Sequence, residues 1–92
     1  MAKKVELSAE DLGLVEQVIV SVWGQIAYDL GDVDDNEQAI ECCIDADRLV
    51  EFNQSGRSRT QARNVDGLVK GLVAKHGYLP VLKYLSKNIR LV

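Results

Sequence analysis

Leu12, Val15, Ile19, Val22 and Ile26 recur at spacings of three, four, three and four. A strand, whose side chains alternate from face to face, cannot gather these five on one side, whereas an α-helix does. Ser8, three residues before Asp11, supplies a capping-box start with Asp in place of Glu or Gln, and Gly31 stands where a left-handed C-terminal cap would. A first helix is therefore expected over 8–30. Val18, Val20, Trp23 and Leu30 spread its apolar surface well beyond the seam. Such a helix should be the central member of a bundle or form a subunit interface.

The rest of the chain repeats this logic. Acids in the run Asp32-Val33-Asp34-Asp35-Asn36-Glu37 suit a helix N-terminus and open a second helix over 35–53. Its inner stripe is Ala39, Cys43, Ala46 and Val50, flanked by Ile40 and Leu49. A polar turn follows, and Ser58 with Gln61 reads as a second capping box for a helix over 59–76. Val65, Leu68, Val69, Leu72 and His76 form its buried stripe, and Gly77 ends it. The only proline, Pro80, fits the first turn of a last helix over 79–90, with Leu82, Leu85 and Ile89 inward. The expected fold is all-α, one compact four-helix bundle-like domain over 1–92.

The formal charge of −3 hides an asymmetry. Residues 1–56 carry 13 acidic and 3 basic side chains, and residues 57–92 carry 8 basic ones against Asp66 alone. Acidic and basic helices packed side by side would account for this first. A nucleic-acid surface or association between copies are the other two accounts.

Metal and catalytic chemistry find little support. One histidine and two cysteines are too few for a zinc or iron–sulfur centre. Asp32-x-Asp34-x-Asn36 is similar to the start of a calcium-binding EF-hand loop, but that loop needs Gly at its sixth position and Glu at its twelfth. Here those positions hold Glu37 and Cys43, so the run is a helix cap. Cys42 and Cys43 point about 100° apart on a helix and are expected to be reduced, structural thiols. His76 has no nucleophile partner and is expected to be structural. No glycine-rich phosphate loop or nucleophile elbow occurs. No cofactor, no metal and no catalysis are expected.

Gly67, Gly71 and Ala74 form a small-residue strip whose expected use is a close helix crossing within the chain, with a crossing between copies second. Lys3 and Lys4 are followed by acids where a secretory signal would be apolar, and no run of about 18 apolar residues occurs. A cytoplasmic location without membrane contact is expected.

The function expected is non-catalytic and regulatory: a small helical protein that binds another protein, with a homodimer as one form. Leu14, Val20 and Trp23 are its exposed apolar candidates, and Glu37, Glu41 and Asp45 an acidic rim. The alternative is a nucleic-acid-binding accessory protein using Arg59, Arg63, Lys70, Lys83, Lys87 and Arg90 of the basic half, 57–92, with Tyr84 available for stacking. It ranks second because the isoelectric point is near 5.0. A helix-turn-helix centred on Gly77 also fails, since it puts Lys83 and Ser86 at apolar positions.

Overall fold

The computed structural model describes residues 4–44, 49 and 56–92. Among the described residues, four helices carry most of the chain: α1 (Ala9–Leu30), α2 (Asn36–Ile44), α3 (Gly56–His76) and α4 (Tyr78–Asn88). No strand occurs among the described residues. The fold is thus an all-α, bundle-like assembly.

Each helix begins or ends for a legible reason. At α1, the Asp11 amide donates to Ser8 Oγ over 3.1 Å and satisfies one of the free amides of the first turn. Gly31 closes the helix at φ 72, ψ −139. That positive φ favours glycine, but its ψ is not that of the left-handed cap expected from the sequence. At α2 the acidic run acts as a cap: Asp35 Oδ1 accepts from the Glu37 amide over 3.0 Å, and the Asp35 carbonyl accepts from the Ala39 amide over 2.9 Å. Gly77, at φ 93, is the single residue between α3 and α4. Its amide closes the last turn of α3 on the Val73 carbonyl at 2.8 Å. The chain therefore turns a sharp corner there, and Pro80 sits in the first turn of α4, where its missing amide is tolerated.

Two boundaries differ from expectation. Helix α3 starts at Gly56, so Ser58 lies inside its first turn and cannot be the cap of a helix beginning at 59. The local polar signal did not discriminate, because Ser, Arg and Thr are all tolerated in a first helical turn. The last helix ends at Asn88, and Ile89 is extended, at φ −122 and ψ 123. Of the second helix expected over 35–53, residues 45–48 and 50–53, with the core candidates Ala46 and Val50, lie outside the described residues.

Packing follows the apolar stripes. Helix α1 packs against α2 and α3, and α4 packs against the same two, which sets α1 and α4 at opposite corners. The core they enclose contains Val15, Ile19, Val22 and Ile26 from α1, and Ile40 and Cys43 from α2. Val65 and Val69 of α3 join Val81, Leu82, Leu85 and the post-helical Ile89 in the same cluster. Burying each of these large side chains contributes roughly 1.5–3 kcal/mol. Leu12, Leu68 and Leu72, expected in the core, are half-buried at its edge. Each acidic helix has a basic neighbour, α1 beside α3 and α2 beside α4.

This arrangement corrects the expectation for α1. Among the described residues it packs against two helices, α2 and α3, and so is not their central member; Val18 turns inward beside the seam while Val20 points out. The strip Gly67, Gly71 and Ala74 is corrected too. All three are exposed, and a Cβ built on either glycine meets nothing within 4 Å. No helix crosses closely there among the described residues.

Candidate functional site

The N-terminal segment before α1, residues 4–8, forms no helix and lies against α4. The Leu7 amide donates to the phenolic oxygen of Tyr84 over 3.1 Å, and Val5 and Leu7 pack on the core edge. On α4, Pro80, Lys83, Tyr84 and Lys87 recur at spacings of three, one and three, so they share one helical face. The Gly77 corner carries the end of α3, with Lys75 and His76, to that face. These three elements enclose an open groove of about 540 Å³ lined by Lys4, Val5, Lys75, His76, Pro80, Lys83, Tyr84 and Lys87.

Its chemistry is one-sided. Four lysines line it, and among the described residues no Asp or Glu does. Lys75 and His76 also suit the C-terminal end of the α3 dipole, and Lys87 that of α4, but that account does not reach Lys4 or Lys83. Val5, Pro80 and the Tyr84 ring supply an apolar floor. The groove can thus attract an anion that carries a flat or apolar part.

Of the six basic residues expected to act together, the structure brings only Lys83 and Lys87 to this groove. Arg59, Arg63 and Lys70 are exposed on α3, and Lys70 Nζ stands 3.0 Å from Asp66 Oδ2 one turn back. Arg90 lies past the end of α4, where its Nε donates to the Val92 carbonyl over 3.3 Å. Lys4 and Lys75 complete the groove in their place. No local pattern ties Lys4 to α4, since the Leu7–Tyr84 bond that docks its segment spans 77 positions of sequence. Lys83 and Lys87, one turn apart with Tyr84 between, were the legible part.

The apolar candidates on α1 also divide. Val20 is 47% exposed, whereas Leu14 and Trp23 are half-buried and pack against the core. Each follows or precedes a core valine by one position, at the margin of the buried arc, so neither is the open anchor expected. Tyr28, missed from the sequence, is 91% exposed. With Gly13, Gln17, Val20 and Gly24 it makes an uncharged stripe on the outward face of α1. Gly13 and Gly24 have nothing within 4 Å of a built Cβ. In the acidic rim, Glu41 is exposed and Glu37 half-buried; Asp45 lies outside the described residues.

Neither cysteine is in a disulfide; Cys42 is half-buried and Cys43 buried, and Cys43 Sγ donates to the Ile19 carbonyl over 3.7 Å. Among the described residues no three His, Cys, Asp or Glu side chains gather as a metal-binding group. None of the described helices is long and apolar enough to cross a membrane. No family model matches the sequence, and no curated protein or solved structure shows a significant similarity to it.

Proposed function

We propose that this is a small, non-catalytic regulatory protein of the cytoplasm that docks on another protein through the outward face of α1, a second copy of the chain being the first partner to test. One observation carries this: the exposed stripe Gly13, Gln17, Val20, Gly24 and Tyr28 runs four turns without a charge. Interface centres are depleted in charge and enriched in aromatic residues, with charged groups at the rim. Here Glu10 and Asp29 lie near the two ends of the stripe, and Glu16 flanks it.

The glycines support the same reading. A glycine inside a helix costs about 1 kcal/mol against alanine. Among the described residues nothing lies within 4 Å of a Cβ built on Gly13 or Gly24, so their small size serves no packing there. A partner backbone lying close over α1 would use it. Cys42 and Cys43, unbridged, suit a reducing compartment.

Sedimentation over a wide concentration range, on the parent chain and on Val20→Lys and Gly24→Leu variants, tests the reading. Concentration-dependent association that both variants abolish, with helix content kept, is the expected result. A monomer at every concentration rejects the second copy as partner. If a photo-cross-linker at position 20 then captures nothing in cells making the protein, the α1 face itself is rejected.

A further inference from the structure

We propose that the lysine groove is a binding site for single-stranded nucleic acid, which it takes by its phosphates and without regard to base sequence. The inference is independent of the α1 docking face, and it replaces the six-residue surface suggested by the basic half with a different set. The groove collects four of the chain's 11 Lys and Arg side chains in a protein whose net charge is −3. A local concentration of cations against the overall charge needs a local cause. No carboxylate among the lining residues neutralises it.

The residue types narrow the ligand. All four cations are lysines, compact point charges that meet phosphate oxygens from many directions, and not arginines, whose fork selects bidentate partners. A phosphodiester chain presents such oxygens at every step. The floor of Val5, Pro80 and Tyr84 offers a base or sugar an apolar surface, and aromatic side chains accept any base because each has a π-face. A lysine can meet the O6/N7 edge of guanine, but reading the other bases needs amide, hydroxyl or carboxylate groups aimed at their edges. The lining has no Asn, Gln, Ser or Thr, and the Tyr84 hydroxyl already accepts from the Leu7 amide. A flexible strand can lay successive phosphates into an open groove of about 540 Å³. A duplex, a stiff convex cylinder, is expected to fit it less well than a strand that bends.

The test is fluorescence anisotropy of the full-length chain with labelled oligothymidine and a labelled mixed-sequence RNA, over a salt series. Both should bind, with affinity falling steeply as salt rises. A Lys83→Ala/Lys87→Ala double variant should bind about tenfold more weakly, with its salt slope shallower by about 1.4, since each lost phosphate contact on a single strand removes about 0.7. Lys83→Arg/Lys87→Arg should keep most of the affinity, and Arg59→Ala/Arg63→Ala, away from the groove, should bind within about twofold of the parent. Circular dichroism of each variant confirms an intact fold, as these side chains are exposed. No binding at low salt overturns the proposal. So does an equal loss in the Arg59/Arg63 variant, which would mean diffuse attraction. Displacement by an oligoglutamate peptide at equal concentration would assign the groove to an acidic protein segment, and tighter binding of duplex than of single strand would reject the strand geometry.

Discussion

The Leu7 amide and the Tyr84 hydroxyl, 77 positions apart in sequence, meet at 3.1 Å. That bond docks the N-terminal segment on α4 and brings Lys4 and Val5 to the groove wall. Tyr84→Phe keeps the ring and removes the acceptor. Stability should fall by roughly 0.5–1.5 kcal/mol, and the Leu7 amide should exchange with solvent faster while core amides keep their protection. Unchanged exchange at Leu7 would show that this bond does not hold the segment in solution.

Asn36 ties the start of α2 to the end of the chain. Its side-chain amide donates to the carbonyls of Ser86 at 2.6 Å and Ile89 at 2.8 Å, and its Oδ1 accepts from the Leu91 amide at 2.6 Å. Asn36→Ala should cost roughly 2–4 kcal/mol, three bonds with partly buried partners left over. Asn36→Asp should cost at least as much at neutral pH, since it faces two carbonyls with a carboxylate and no donor. Those carbonyls favour the protonated form, so the folded pKa of the new carboxyl would be raised. The penalty is then full above that folded pKa and shrinks as pH falls through it towards the unfolded value. Urea unfolding of both variants at neutral and acidic pH measures this, and a flat pH response would count against the hydrogen-bond assignment.

Glycines of the same type should respond in opposite directions. Gly24→Ala and Gly71→Ala add a methyl group where nothing lies within 4 Å, so each should raise monomer stability by up to about 1 kcal/mol. Gly77→Ala should lower it by about 1–2 kcal/mol, because Gly77 holds φ 93; Pro80 Cδ, 3.7 Å from the added atom, is in ordinary contact and adds no clash. Denaturant midpoints decide. A destabilising Gly24→Ala would mean that something in the chain does cover that face.

The two adjacent thiols should be chemically distinct. Cys42 is half-buried and Cys43 buried, its Sγ directed at the Ile19 carbonyl. A disulfide reagent should modify Cys42 first, and Cys43 only at the rate at which the core opens. Cys42→Ser should abolish the fast phase. Equal rates in the native protein would contradict the buried position of Cys43.

Helix content was legible because apolar periodicity is a property of one segment and its own geometry. The stripe through Val15, Ile19, Val22 and Ile26 and that through Leu82, Leu85 and Ile89 both face the core. Caps were legible where a side chain bonds its own first turn, as at Ser8 and Asp35. Periodicity faltered at the margins of the buried arcs. Leu14 and Trp23 lie there, and whether such a side chain is covered depends on the neighbouring helix and not on its own.

What the amino-acid order determined by itself was local: four helices, their inward faces, and a basic half whose lysines had to lie somewhere on the surface. Only the tertiary structure decided that, among the described residues, α1 packs against α2 and α3, that nothing there approaches Gly67 or Gly71, and that Lys4, Lys75, Lys83 and Lys87 converge while Arg59, Arg63 and Lys70 do not. The physical reason is one of range. Helix propensity, capping and periodicity act within a few residues, where spacing along the chain is spacing in space. A groove built from the first residues, the end of α3 and one face of α4 depends on how three elements dock. That docking is set by packing and by hydrogen bonds such as Leu7 to Tyr84, which no local pattern encodes.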